Sequence, residues 1–348
     1  MTQPSVVRAA CLPAGTPEVA VAIVGAGACG LTAAVMLGDA GIDCVLLERD
    51  ARAQGSSALS SGFIPAAGTA VQRAAGVIDD SPGRFAADIQ AKAGGSAAPP
   101  LVAAYTQAIG PAMDVQQQRH GLGFELLDGF LYPGHGLRRM HALPQRSGAA
   151  LVAALEAAAS RAGAMLVTKA LVRKLWCDPQ GRVLGLGYRR PDGSTDTLAC
   201  RALLLACNGF GGNADMVRSL LPEMRGAIFA GHAGNDGSAI AWGRALDAGP
   251  ADLGGYQGHG AWGRAAGRAD HLGADDAGRH PGQCAGPPLP RRDAGLLRGL
   301  VAGAGTAGRG HRRSDAANPA GEPAMSPLKQ RLAEHRVLLA AATRPARR

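Results

Sequence analysis

The sequence predicts an α/β protein built on a parallel sheet, followed by a C-terminal segment of different character. A strand, a glycine-rich turn, a helix and a second strand follow one another between residues 18 and 50, which is the pattern of a βαβ unit. The fully apolar run Leu203–Cys207 is typical of a parallel strand buried on both faces. A break in composition after Trp262 sets the remaining segment apart.

The break at Trp262 concerns both apolar side chains and charge. All 13 Phe, Trp and Tyr residues lie at or before it, and no isoleucine follows it. The segment 263–348 holds 14 Arg and one Lys against seven acidic residues, so nearly all of the net charge of +9 lies there. A segment without aromatic residues or isoleucine has little with which to build a core. We expect an N-terminal extension at 1–17, a folded domain at 18–260 and a basic, disordered tail at 261–348.

Cysteine usage and one long uncharged run bear on the class of protein. Seven Cys with no Cys-x-x-Cys pair fit neither a disulfide framework nor a zinc site, which favours a cytoplasmic protein without metal. The uncharged run Val19–Gly38 contains three spaced glycines. It therefore indicates a buried strand, turn and helix rather than a membrane span.

The βαβ unit carries a dinucleotide motif. Gly25-x-Gly27-x-x-Gly30 follows a strand and opens a helix, the context in which the first glycine allows a tight turn and the second lets the backbone approach a pyrophosphate. The third lets helix and strand pack closely, and the helix N-terminus offers free N–H groups to the anion. Glu48 ends the second strand, where a carboxylate can bind the ribose hydroxyls of an adenosine.

The stretch QGSSALSSGFIPAAGT (Gln54–Thr69) favours FAD over NAD. Its hydroxyls and unobstructed N–H groups suit a pyrophosphate and the edge of a flavin, whereas NAD enzymes usually continue into another helix. An NAD(P)-dependent dehydrogenase, a non-catalytic dinucleotide-binding remnant and a plain flexible linker at this stretch remain the alternatives.

With these motifs the sequence resembles the FAD-dependent family of fumarate reductase and succinate dehydrogenase flavoprotein subunits, which also contains 3-ketosteroid dehydrogenases. The resemblance runs from about Glu18 to Gly260. It implies a Rossmann-like, three-layer FAD-binding domain of the glutathione-reductase type, with FAD as cofactor. It also implies hydride transfer between the flavin and an activated C–C bond of a fumarate-like acid or a ketosteroid. No nucleic-acid partner is expected, and the electron partner is not readable.

The resemblance further implies which residues contact FAD. Ser56 and Ser57 correspond to the family's pyrophosphate contacts, and Ser60, Ser61 and Gly62 to residues near the flavin.

Three later stretches match the family as well. Val172 occupies the position whose backbone meets adenine. In LLACNGFGGN, Asn208 stands where glycine is common and Gly209 follows it. The family's Asp beside a helix N-terminus corresponds to Asp236 or, two residues later, to Ser238, and either can cap the helix.

A substrate contact is implied by the stretch YQGHG, in which His259 falls where family members bind a substrate carboxylate. Complete members continue with a cap domain carrying a catalytic Arg and end in a glycine-rich flavin contact. Neither is found after Gly260, so no catalytic residue is identified and we expect impaired catalysis.

The tail itself suggests a reason. One of the nucleotide sequences that encode Gly286–Gly299 reads GRRFHDETQGYSE when it is translated starting one base later. Leu272–Ala285 can likewise be encoded so that the same shifted frame reads WALMTQGGIQVNAR. Joined, the two resemble the family's next block, Gly-x-Arg-Phe followed by Asn/Asp-Glu. We therefore expect a frameshift near residue 262, between Gly260 and Arg264. A natural basic arm that binds nucleic acid is the alternative.

Overall fold

The computed structural model describes residues 3–129 and 131–256, together with three short strands further along the chain. In chain order the strands are β1 (Ser5–Arg8), β2 (Glu18–Val24), β3 (Cys44–Leu47), β4 (Ile64–Pro65), β5 (Glu125–Leu126), β6 (Met140–Ala142), β7 (Met165–Val167), β8 (Leu171–Cys177), β9 (Val183–Arg189), β10 (Thr195–Leu205), β11 (Trp262–Gly263), β12 (Arg268–Ala269) and β13 (Val337–Leu339). The helices are α1 (Ala28–Asp39), α2 (Gly55–Leu59), α3 (Ala70–Ala74), α4 (Pro82–Lys92), α5 (Pro99–His120), α6 (Gly148–Arg161), α7 (Ala214–Leu220) and α8 (Ser238–Ala245).

The main sheet confirms the predicted α/β fold. Its strand order is β1-β8-β9-β10-β2-β3-β7. Strands β10, β2, β3 and β7 run parallel, while β8, β9 and β10 form an antiparallel meander. The first half of β10 pairs with β9, and its last three residues pair with β13. Because β10 belongs to both sets, it joins the meander to the parallel sheet.

The domain has three layers, and the parallel strands form the middle one. On one face, Leu31 and Val35 of α1 share a buried cluster with Leu151 and Leu155 of α6. Helices α1 and α6 approach so closely that a methyl group on Gly38 would lie 2.2 Å from the carbonyl oxygen of Ala162, the residue that follows α6. On the other face, side chains of the meander and of α8 share a second buried cluster with the parallel strands: Val24, Leu47, Val172, Leu175, Leu186 and Trp242.

Two segments lie at the margins of the predicted domain. Strand β1, inside the predicted N-terminal extension 1–17, pairs with β8 at the edge of the main sheet. Apart from β11, β12 and β13, the predicted tail 261–348 lies outside the described residues, and its disorder stays a prediction. Among the described helices, none is both long and apolar enough to cross a bilayer.

The chain between α2 and α6 forms a smaller layer, in which β4, β6 and β5 make a three-stranded sheet and α3, α4 and α5 are the helices. Its interior holds a buried ion cluster. Arg139, 1% exposed, donates from Nε and Nη2 to the two oxygens of Asp80, both at 2.8 Å, and from Nη1 to Asp88. The guanidinium also lies over the ring of Phe85.

His141 belongs to the same interior. Its Nδ1 lies 2.8 Å from the carbonyl oxygen of Arg139 and its Nε2 lies 2.8 Å from the hydroxyl of Thr69. A carbonyl oxygen only accepts, so Nδ1 carries the proton and Nε2 accepts from Thr69. Burial lowers the pKa of His141, in keeping with a neutral ring. Arg139 and His141 are therefore core residues.

The Arg139 cluster leads to a stability prediction. Arg139→Ala leaves Asp80 buried without a counter-charge, so we expect a loss of about 3–5 kcal/mol in the free energy of unfolding, measured by urea denaturation. The neighbouring Arg138 makes only a long contact of 3.4 Å to a backbone carbonyl, so Arg138→Ala should change stability by about 0.5 kcal/mol or less. Equal losses in the two variants would contradict this interpretation.

Candidate functional site

A cleft of about 830 Å³ opens at the carboxyl ends of the parallel strands. Its lining includes Val24, Leu47 and Leu205, the last residues of β2, β3 and β10. Open α/β sheets bind their ligands at this edge, and the volume suits a large organic ligand.

The glycine turn forms one wall of the cleft. Gly25 has a φ of 102°, and a methyl group there would lie 2.7 Å from the carbonyl oxygen of Ala206. A methyl group on Gly30 would lie 2.0 Å from the carbonyl oxygen of Gly25. Gly27 precedes α1 without a capping side chain. At the three glycines the backbone thus passes close to its neighbours, and side chains at these positions would occupy the space between them, as the motif requires.

Glu48 ties this turn to the end of β3. Its Oε2 accepts from the N–H of Ala26 at 2.9 Å, and its Oε1 accepts from the N–H of Asp50 at 3.0 Å. The residue is 5% exposed and lines the cleft. Each carboxylate oxygen can accept a further hydrogen bond, so Glu48 keeps capacity for the ribose hydroxyls predicted for it.

The serines of the stretch Gln54–Thr69 have different roles. The hydroxyl of Ser57 accepts from the N–H of Ala28 in the first turn of α1 at 3.1 Å, and Ser57 lines the cleft. The hydroxyl of Ser56 instead accepts from the backbone N–H of His232 and from Asn235 Nδ2. Ser56 therefore fixes the 232–235 loop, whereas Ser57 faces the cleft beside the first turn of α1, and its pyrophosphate contact stays a prediction.

The rest of that stretch turns toward α6. The hydroxyl of Ser60 donates to the carbonyl oxygen of Ser57 and accepts from the N–H of Gly62, and Gly62 has a φ of 70°. The residues that line the cleft do not include Ser56, Ser60, Ser61 or Gly62. The contacts of these four residues with the cofactor therefore stay predictions.

The opposite wall of the cleft contains residues that the family resemblance predicts to contact the cofactor. Val172, 4% exposed, and Asn208 both line the cleft. Asn208 has a φ of 66°, a left-handed conformation that asparagine tolerates better than most side chains, which fits a position where glycine is common. The carbonyl oxygen of Gly209 accepts from the N–H of Gly237 at 3.0 Å, which holds this turn against the start of α8.

Asp236 and Ser238 form one unit. Helix α8 begins at Ser238, whose N–H and hydroxyl donate to Asp236 Oδ1 at 3.0 and 2.6 Å. Arg173 donates to Asp236 Oδ2 at 2.8 Å. Burial raises the pKa of the Asp236 carboxyl, but the hydrogen bonds from Ser238 and Arg173 outweigh it and leave the pKa below its ordinary value. Both residues line the cleft, so Asp236 contributes a carboxylate to it in addition to that of Glu48.

Sequence reasoning missed two arginines of the cleft. Arg173 and Arg49 both line it; Arg49 donates to the carbonyl oxygen of Gly234 at 2.8 Å and lies 3.7 Å from Asp236 Oδ2. Each arginine directly follows a residue that was predicted, Glu48 or Val172, and that adjacency is the signal that could have found them. His232, which lines the same wall, carries no such signal. His259 lies outside the described residues, and its substrate role stays a prediction.

Comparisons with known proteins agree with this geometry. The family model described as FAD binding domain matches residues 20–259. A urocanate reductase from Eggerthella lenta is 30% identical over 213 residues, which are 60% of this chain and 34% of that protein. An NADH:fumarate oxidoreductase from Klebsiella pneumoniae is 25% identical over 241 residues, which are 69% of this chain and 26% of that protein.

Two solved structures share the fold. The open conformation of a flavocytochrome c3 fumarate reductase superposes with a TM-score of 0.66 at 22% identity, covering 74% of this chain and 45% of that chain. A 3-ketosteroid-Δ4-(5α)-dehydrogenase from Rhodococcus jostii RHA1 gives 0.60 at 24% identity, covering 69% of this chain and 56% of that chain.

The glycine turn, the buried acid and the family match define a dinucleotide-binding flavoprotein domain. The chain belongs to the family of FAD-binding domains, which confirms the predicted fold, family and cofactor. It spans about a third or less of the length of the two enzymes just compared.

The turn packing leads to a binding prediction. Gly30→Ala places a methyl group against the carbonyl oxygen of Gly25, and overpacking of this kind costs about 1–3 kcal/mol. We expect a lower melting temperature and FAD binding weakened by roughly tenfold, measured by fluorescence titration. Gly123→Ala, where the added methyl meets nothing within 4 Å, is the control and should bind FAD as the wild type does. Unchanged FAD affinity in Gly30→Ala would show that the turn does not approach the cofactor.

Proposed function

We propose that the chain is the FAD-binding part of an oxidoreductase that moves hydride between FAD and an activated C–C bond. The observation that carries this is the cleft itself, with a glycine turn at a helix N-terminus beside a buried carboxylate, Glu48. Bound FAD supplies a carrier for a hydride, which no side chain of the chain can provide. The protein's part is to bind and orient the cofactor.

The described residues divide this task along the cleft. Glu48 and Val172 mark the end for the adenosine, and Ser57 with the first turn of α1 marks the middle for the pyrophosphate. Asp236 is held by Arg173 and Ser238, so the carboxylate presents a fixed set of acceptors to the cofactor's hydroxyl groups. Each group is set by hydrogen bonds before the cofactor arrives, which lowers the ordering cost of binding.

For the substrate we propose an α,β-unsaturated carboxylic acid. The two named relatives act on urocanate and fumarate, and both compounds belong to that class. A ketosteroid is the second candidate, supported only by the shared fold of a ketosteroid dehydrogenase. His259 would contact the substrate carboxylate, as its place in YQGHG predicts.

We also propose that catalysis is impaired in this chain because the gene is read in a shifted frame from near residue 262. The support is the loss of all aromatic residues and the concentration of arginine from that point on. Resequencing the gene across the codons for residues 260–264 tests the frameshift directly.

An enzyme assay tests the function. The purified chain should carry FAD, be reducible by dithionite and fail to be reoxidised by fumarate, urocanate or androstenedione in the absence of air. The chain expressed from a gene with the frame restored should be reoxidised by an unsaturated acid.

Three results of this assay would change the account. Turnover by the unrestored chain would contradict the impairment. Reoxidation of the restored chain by androstenedione alone would favour the ketosteroid. A restored chain that binds FAD and reacts with none of the three would indicate a dinucleotide-binding protein without this activity.

A further inference from the structure

The cleft contains a buried hydrogen-bond donor that has no acceptor among the described residues. Two residues that line the cleft carry a buried polar atom without a hydrogen-bond partner there, Asp50 at Oδ2 and Trp242 at Nε1. The Asp50 oxygen still lies 2.9 Å from Nε2 of His232, so an imidazole N–H is close by. The Trp242 indole has no comparable neighbour in the described part of the chain, although it is 1% exposed.

Burial of this indole without an acceptor is unusual and calls for a ligand. An indole N–H only donates, and buried polar groups in native proteins nearly always have a partner. A buried donor left unpaired loses its hydration and gains nothing in return. A cofactor that brings an acceptor into the cleft would remove this cost.

The position of Trp242 identifies which part of the cofactor can do so. Trp242 lies in α8 and shares its buried cluster with Val24, Leu47 and Val172, all of which also line the cleft. Glu48 follows Leu47 directly. The indole therefore lies at the end of the cleft assigned above to the adenosine, and an adenine ring carries acceptor nitrogens such as N7.

We infer that the indole N–H of Trp242 donates to an acceptor nitrogen of the adenine of bound FAD, and so helps the cleft to select the adenine dinucleotide over FMN. This rests on the proposed placement of the adenosine beside Glu48. The indole is closed off from water in the structure, so its N–H reaches the adenine only if the ring turns toward the cleft as the cofactor binds. Trp242 is a binding residue in this role and takes no part in the hydride transfer.

The indole N–H can be observed directly by nuclear magnetic resonance. The chain has three Trp, so its ¹⁵N-labelled form gives three indole signals, which Trp176→Phe and Trp262→Phe assign. Addition of FAD, or of ADP as its adenosine half, should move the Trp242 proton downfield and slow its exchange with solvent. FMN should leave the signal in place.

A pair of matched variants tests the energetic consequence. Trp242→Phe keeps an aromatic ring and removes the N–H, so FAD and ADP should bind about fivefold more weakly, the usual worth of one net hydrogen bond. Trp176→Phe removes an indole N–H that is also buried and unpartnered but belongs to β8 outside the cleft lining. Trp176→Phe should therefore bind both ligands as the wild type does.

The outcomes separate this inference from the proposed function. FAD bound by the wild type with an unmoved Trp242 signal overturns the inference alone. Equal weakening in both Phe variants also overturns it, because it indicates a general effect on packing. Wild-type protein that binds neither FAD nor ADP overturns the proposed function together with the inference. If Trp242→Phe does not fold, the wild-type spectra decide the matter by themselves.

Discussion

The carboxylate of Glu48 is the contact on which the cleft depends. It accepts one hydrogen bond from Ala26 in the glycine turn and one from Asp50 beyond β3, so a single side chain joins the ends of two neighbouring parallel strands. Hydrogen bonds to an ionised group are stronger than neutral ones, and this group is nearly excluded from water. The glycine turn is thereby held in place beside the N-terminus of α1.

A second carboxylate, that of Asp236, holds together the opposite wall of the cleft in a similar way. Asp236 accepts from the start of α8 and from Arg173 of β8, and Arg49 approaches it from the residue after Glu48. The two carboxylates are thus linked through Arg49, which belongs to the segment of one and contacts the loop of the other. Glu48 and Asp236 are fixed relative to each other before any cofactor binds, which reduces what binding must order.

The parts of the site that the sequence predicted are those determined locally. Gly25, Gly27, Gly30 and Glu48 lie in one βαβ unit, whose geometry follows from hydrophobic periodicity and from glycine's tolerance of positive φ. The parallel sheet was predictable for the same reason, because Leu203–Cys207 reads as a strand buried on both faces.

The missed parts depend on pairings distant along the chain. Asp236 meets Arg173 across 63 residues, and Ser56 meets Asn235 across 179. Which of two adjacent serines faces the cleft is decided by the short helix α2 and its contacts, and no periodicity reveals it. The buried roles of Arg139 and His141 were hidden in the same way, since a cluster of charged residues in a glycine-containing stretch resembles a solvated loop until its partners, Asp80 among them, are known.

The most direct test of the account is the FAD affinity of Glu48→Gln, measured by equilibrium fluorescence titration beside Glu125→Gln, an exposed position. Glutamine has an NH2 group in place of one carboxylate oxygen. This group is a donor, so it cannot accept the hydrogen bond from the backbone N–H that faces it. We predict that Glu48→Gln binds FAD at least about tenfold more weakly, from the loss of a charge-assisted hydrogen bond, with the affinity of Glu125→Gln unchanged. Wild-type affinity in Glu48→Gln would contradict the claim that this carboxylate organises the FAD cleft.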